Sequence, residues 1–315
     1  MMSNRKLLYL FLGLLLIFAI TQLFNTKKDR SFKSELLKVD TSLVNKIVIH
    51  STADNHKETI LTKSRTSDWT ATQNQKTVPV VPGTLDGILN ELPFMKIKSI
   101  ATQSKEKYNE YEIGDSAASH IEVFAGSKKV ADFYSGKFGF NAQTNSMISY
   151  IRLKDDSNVY ATDGFQSMTF NAPFSSFRDK NILKVSADQI QKISAISNTN
   201  KLDLVKSGTT WSLNGVPLID STAIQNYLNS IQSLSGQDLI DDYSKPGSPS
   251  HSAIVDAAGI AITVDLYPSG DTLKPFMIHS SANADVYFKE DSSNTFKTIF
   301  GGITNLIPSS PVKKK

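Results

Sequence analysis

Residues 44–49, Val44-Asn-Lys-Ile47-Val-Ile49, return at 190–195 as Ile190-Gln-Lys-Ile193-Ser-Ala195, and this return decides how the chain is read. Each copy leads into a second apolar segment, Thr59-Ile-Leu-Thr62 and Leu202-Asp-Leu-Val205. A polar turn follows, Ser64-Arg-Thr-Ser-Asp68 and Ser207-Gly-Thr209, and then a tryptophan opens a strand, Trp69-Thr-Ala-Thr72 and Trp211-Ser-Leu213. Trp69 and Trp211 are the two tryptophans of the chain. Apolar residues alternating around polar turns predict β-hairpins.

A helix is predicted next in both copies. Leu85, Ile88, Leu89 and Leu92 fall at i, i+3, i+4 and i+7, as do Ile224, Tyr227, Leu228 and Ile231, continuing to Leu234. That spacing lines one helical face with apolar groups, which must be buried against a sheet. Pro82-Gly83-Thr84 starts the first helix, and Ser221-Thr222 starts the second, where Thr222 and Gln225 fit a capping box. Strands return after each helix. Ile121-Glu-Val123 matches 260–266, Val130–Tyr134 matches 273–278, and Ile148–Ile151 matches 285–288. Several matches in one order point to a tandem duplication. The fold class expected is α+β, with two units that each pack one amphipathic helix on an antiparallel sheet. The tryptophans are expected to be the repeated core residues of the two units. The segment 236–252, with Pro246 and Pro249, reads as a long polar surface loop.

Upstream of the repeat, Leu7 to Phe24 reads LLYLFLGLLLIFAITQLF without a charge. As a helix it is about 27 Å long, close to the hydrocarbon thickness of a bilayer. Arg5-Lys6 and Lys27-Lys28 bracket it, and no small-x-small cleavage site follows it, so an uncleaved signal-anchor is expected. The domain plan is a cytoplasmic stub at 1–6, a transmembrane anchor at 7–24 in the inner membrane, and a stalk at 25–40. A first unit at 41–180, a second at 181–308 and a basic disordered tail at 309–315 complete it. A strict charge count opposes export of the body. The short stub and the Sec-type pattern, Arg5-Lys6 before a leucine-rich run, favour a periplasmic body.

At 315 residues the chain is long enough for about two domains. Hydrophobic residues at 40% and charged residues at 20% exclude a disordered polymer and a wholly membrane-embedded protein. The net charge is +4, but the first 33 residues carry +5 and the last three carry +3, which leaves the body at −4. An acidic body lacks the clustered basic face that nucleic-acid binding needs. The chain has no cysteine, which excludes disulfides, thiolate metal sites, a cysteine nucleophile and N-terminal cysteine lipidation.

These residues resemble the bacterial domain of unknown function family 4340. The resemblance rests on Trp69, the helix around Leu85 to Leu92, Tyr111-Glu-Ile113, Ser135-Gly136, Tyr150-Ile-Arg152 and Phe177-Arg-Asp-Lys180, and it covers roughly residues 65 to 235. Glu112 stands where the family pattern has glycine, and Ser135 where it has isoleucine. The resemblance implies a membrane-anchored exported protein associated with auxiliary components of ABC-type transport systems, similar to the gliding-motility GldF and GldG pair. It implies no catalytic residue.

Phe177, Arg178, Asp179 and Lys180 form the sharpest motif, read either as a docking edge with a bidentate Arg178 fork or, preferably, as ties at the join between units. Ser135-Gly-Lys-Phe-Gly139-Phe lacks the phosphate-loop spacing and reads as a hairpin turn. His50, His56, His120, His251 and His279 show no metal-ligand spacing, and Asp155-Asp156 and Asp241-Asp242 are adjacent carboxylates that a strand would point to opposite faces. No catalytic, cofactor-binding or metal-binding residue is assigned, and no cofactor is expected. The function expected is a non-enzymatic, membrane-anchored interaction module, an accessory of an ABC-type transport or gliding-like envelope assembly. Its partners would be the bilayer, through 7–24, and other envelope or ABC-type transport proteins, with no nucleic acid. The alternatives are a binding protein for an extracytoplasmic glycan or peptide, favoured by an exposed aromatic cleft with Tyr108, Tyr111, Phe138 or Phe140, and a hydrolase with a scattered site.

Overall fold

The computed structural model describes residues 35–142, 145–197, 200–241, 243–244, 247–290 and 294–307. The expected stub, anchor and tail, at 1–6, 7–24 and 309–315, lie outside the described residues. Among the described residues no helix is long and apolar enough to cross a membrane. The chain divides into two compact units between Phe177 and Arg178.

The first unit is a nine-stranded antiparallel sheet. Its strands are β1 (Val44–His50), β2 (Glu58–Lys63), β3 (Trp69–Gln73), β4 (Lys76–Pro79), β5 (Ile97–Thr102), β6 (Ser119–Ala125), β7 (Lys128–Asn141), β8 (Ser146–Leu153) and β9 (Val159–Asp163). They lie in the order β4-β3-β2-β1-β6-β7-β8-β9-β5. The helix α1 (Asp86–Glu91) continues as a tighter turn, Leu92–Phe94, because Pro93 supplies no backbone N–H for a regular helix. Leu85, Ile88 and Leu92 from this segment are buried in one core with Ile47, Ile49, Leu61, Ile121, Val123 and Phe133 of the sheet. Leu37 and Val39 join that core and Leu36 donates its N–H to the Met95 carbonyl at 2.8 Å, so the described end of the expected stalk packs on the first unit.

The second unit opens with β10 (Asn181–Lys184), which pairs with β15 (Ser233–Ser235) in a small separate ladder. Its main sheet holds β11 (Ile190–Ser197), β12 (Asn200–Ser207), β13 (Thr210–Leu213), β14 (Val216–Pro217), β16 (Asp238–Ile240), β17 (His251–Ala257), β18 (Ile260–Pro268), β19 (Phe276–Ser280) and β20 (Asn283–Glu290). The order is β14-β13-β12-β11-β17-β18-β19-β20-β16, strand for strand the order of the first sheet. The helix α2 (Ser221–Ile231) buries Ile224, Tyr227, Leu228 and Ile231 against it. Asp220 caps α2 by accepting from the Ala223 N–H at 2.9 Å, in place of the expected Thr222 capping box. A terminal helix, π-wound at Lys297–Gly301 and α at Gly302–Thr304, adds Ile299, Phe300 and Ile303 to the core.

The ladders fix the repeat residue by residue. Ile47 faces Leu61 and Val123, and Ile193 faces Leu204 and Val255. Leu61 then faces Ala71, and Leu204 faces Leu213. Two residues before these, Trp69 lies opposite Lys63 and Trp211 opposite Lys206, so both tryptophans hold one ladder position. Even the irregularities coincide. A bulge separates Val44 from Lys46 where β1 meets β6, and another separates Ile190 from Lys192 where β11 meets β17. A one-turn helix precedes the bulged strand in each copy, Thr41–Leu43 and Ala187–Gln189.

Two expectations are corrected. The return strands are aligned one strand out of step in the sequence reading. Ile121-Glu-Val123 corresponds to Ala253-Ile-Val255 in β17, β7 corresponds to β18, β8 to β19, and β9 to β20. Consecutive strands of a meander share the same two-residue period, and the inward residues of β17 (Ala253, Val255 and Ala257) are small, so the more apolar β18 draws the match. The segment 236–252 is also no plain loop. It contains β16, which crosses to pair with β20 as β5 crosses to pair with β9.

Candidate functional site

The segment 135–140, expected as a hairpin turn, runs through the middle of β7. Between Ser135, opposite Ile151, and Phe138, opposite Ser149, the register slips, so Gly136 and Lys137 share the space facing Tyr150. Such a bulge bends a strand and re-aims its side chains. Gly136 is fixed by sterics. A Cβ there would lie 2.5 Å from the Tyr111 carbonyl oxygen and 2.7 Å from that of Glu112. Glu112 takes φ +50°, the left-handed conformation that glycine adopts freely.

Beside the bulge lies a cavity of about 340 Å³, lined in part by Thr52, Ser119, Ser135, Lys137, Phe138 and Asn171. The Asn171 side-chain oxygen accepts from the hydroxyls of Ser51, Thr52 and Ser119, each at 2.8 Å, and from the Ala53 N–H at 3.1 Å. One wall is therefore a locked hydroxyl network. Ser135 differs, being 3% exposed with a hydroxyl that has no hydrogen-bond partner among the described residues. Phe138 stacks on Phe165 with centroids 5.6 Å apart. Tyr108 and Tyr111, the other aromatics considered for a cleft, are occupied. Their hydroxyls donate to the carbonyls of Ser157 and Ala101, and Tyr111 packs on Tyr150 at 4.7 Å.

A second cluster, which the sequence reading missed, lies on β6 and β7. His120 Nε2 is 2.7 Å from Asp132, and the Lys129 ammonium is 2.5 Å from both Glu122 and Asp132. Burial pushes the Asp132 carboxyl up, but its bonds from Lys129 and His120 outweigh this and hold it below the ordinary value. Bonding to Asp132 and then Glu122 holds the Lys129 ammonium above its own. The His120, Glu122 and Asp132 ligand atoms approach within 4.8 Å of one another, close enough for a cation, and Lys129 supplies that positive charge. The His120 ring also stacks on Tyr134 at 4.6 Å, with the buried Arg152 guanidinium 4.2 Å from the same ring and paired with Asp115. These residues meet because Glu122 pairs with Asp132 across the turn at Gly126. The spacing His120-x-Glu122 on one strand and Lys129-x-x-Asp132 on the next is the signal for it.

The motif at 177–180 serves structure in each unit. Phe177 is 1% exposed in the first unit's core, and its carbonyl accepts from the Val81 N–H. Arg178 is buried in the second unit and grips Asp241 with both terminal nitrogens, at 2.9 and 2.5 Å. Asp179 is exposed, accepts from the Asn181 N–H and side-chain amide, and turns the chain into β10. Lys180 uses its carbonyl to accept from Gly236 N–H. Trp211 is buried in its core, with the Lys206 ammonium 5.9 Å from its ring, whereas Trp69 is half-buried and packs on the edge of its core.

In the second unit a cavity of about 330 Å³ lies beside α2, lined by Pro217, Leu218, Ile219, Ala223, Leu306 and Ile307 among others. Ile219 is 98% exposed and Ile307 half so. Asn305 and Ile307 also line a neighbouring cavity of about 550 Å³ with Leu202, Phe296, Phe300 and Ile303. His251 sits among the rings of Phe276, Phe296 and Phe300, and burial pushes its imidazole below the ordinary 6.5. The unfolded chain therefore takes up this proton first as pH falls. Stability from His251 is whole above about pH 6.5 and declines as pH falls towards its folded value. Urea midpoints of the full chain are expected to fall between pH 7 and pH 5, and His251→Phe should flatten that slope. An unchanged slope in the variant would assign the titration elsewhere.

The fold defines a class, an α+β protein with two antiparallel sheets of the same strand order, in which the first unit carries a polar cavity and the second a groove with exposed apolar side chains. The family described as "Domain of unknown function (DUF4340)" matches residues 69–252, more than half of the chain, and the chain belongs to it. No curated protein and no solved structure matches the chain.

Proposed function

We propose that the protein is a non-enzymatic interaction module, anchored in the bacterial inner membrane by an uncleaved helix at 7–24, with a periplasmic body. It serves as an accessory component of an ABC-type transport or gliding-like assembly. The observation that carries the contact reading is the groove by α2. Single exposed apolar side chains are ordinary, but Ile219 and Ile307 flank one concave surface that continues into a second. Tethering near a membrane raises the effective concentration of such a surface for other envelope proteins.

The test is co-purification of the full chain from its own membranes after cross-linking. Transport subunits are expected with the wild type, and Ile219→Asp is expected to lose them without a change in folding, since Ile219 is solvent-exposed. Retention of the same partners by Ile219→Asp, or release of the protein from membranes by alkaline carbonate, would contradict the reading.

A further inference from the structure

We propose that the cavity at the β7 bulge binds a neutral saccharide unit, held by Ser135 Oγ and the Asn171 side-chain amide and stacked on Phe138. The proposal goes beyond the contact reading and concerns the first unit alone. A buried hydroxyl without a partner costs stability and persists where something else completes it. Ser135 is such a hydroxyl, and it lines the cavity. Asn171 Oδ1 is committed to its four donors, while among the described residues nothing accepts from Asn171 Nδ2. The site thus offers one hydroxyl able to give and accept and one amide able to give, the pairing a sugar hydroxyl needs.

The rim is balanced. Lys137 and Glu112 are both exposed, both line the cavity, and neither is ion-paired among the described residues. A ligand with one dominant charge gains from one and is repelled by the other. A neutral polyol accepts from Lys137 and donates to Glu112. Phe138 and Met168 add an apolar surface for the C–H face of a sugar ring. About 340 Å³ is small for a binding pocket and suits one or two rings. An extended peptide is disfavoured, because peptides add to free sheet edges, whereas β6 and β7 are interior strands.

The test titrates the full chain in detergent with glucose, N-acetylglucosamine, cellobiose and chitobiose, with trialanine and inorganic phosphate as comparators, by calorimetry. At least one sugar is expected to saturate below about 10 mM, a weak but measurable affinity. Ser135→Ala should weaken that sugar tenfold or more while the melting temperature of the free protein does not fall, because the lost hydroxyl pairs with nothing among the described residues. Phe138→Ala should weaken it comparably. No saturation by any of the four sugars, saturation only by trialanine or phosphate, or full sugar affinity in Ser135→Ala would overturn the proposal. Ile219→Asp lies in the second unit and should leave the sugar titration unchanged, so the contact reading and this one fail separately.

Discussion

Gly136→Ala is expected to destabilise the first unit by about 3 kcal/mol, the upper end of the usual cost of overpacking. The new methyl group would lie 2.5 Å and 2.7 Å from the carbonyl oxygens of Tyr111 and Glu112, and 2.8 Å from Ile113 Cδ1. Two of the three obstacles are backbone, and backbone yields less readily than a flexible side chain. The 105–111 turn would have to lift from β7, and it carries Tyr108 and Tyr111, which pack beside Arg152 and Tyr150. Urea unfolding followed by circular dichroism measures the loss. A loss below about 0.5 kcal/mol, the level of an ordinary surface change, would show that the turn does not press on the strand.

The second large effect concerns the pair Arg178 and Asp241. The Arg178 side chain is 7% exposed and that of Asp241 28%, so the two partners are not equivalent. Removing one partner of a buried pair strands the other charge, which costs about 3–5 kcal/mol when burial is complete. Asp241→Ala removes the bidentate partner of the deeper charge and is expected to cost about 3 kcal/mol. Arg178→Met removes a partner of the more exposed carboxylate, which water can solvate, and should cost less, about 1–2 kcal/mol. The order of the two losses is the informative result. If Arg178 were a docking fork, Arg178→Met would leave stability unchanged and weaken a partner instead.

Much of this architecture is legible in the residues. The repeat shows because strand openings carry large signals, the two tryptophans and the paired x-Lys-Ile segments Val44-Asn-Lys-Ile47 and Ile190-Gln-Lys-Ile193, and because Leu85–Leu92 and Ile224–Ile231 have an unmistakable helical period. The edge strands β5 and β16 are not legible. Their partners, β9 and β20, are distant in sequence, and three residues such as Asp238-Leu-Ile240 carry no period. The site is harder still. Ser135 and Asn171 are ordinary polar residues 36 positions apart. Both line the cavity beside the bulge in β7, and neither the bulge nor the Ser135 hydroxyl without a partner among the described residues leaves a mark on the sequence. The His120 and Asp132 cluster needs both the spacing along β6 and β7 and the register across the turn, and only the spacing is visible in the sequence.

If the second unit works by contact through the groove by α2, that groove is covered in the membrane. Amide hydrogen exchange, read by mass spectrometry, compares the purified full chain with the same chain in the membranes of the cell that makes it. Slower exchange is expected in the membranes at 216–224 and 302–307, which border the groove, with the interior strands of the first unit unchanged. Identical exchange of those two segments in both states would contradict it.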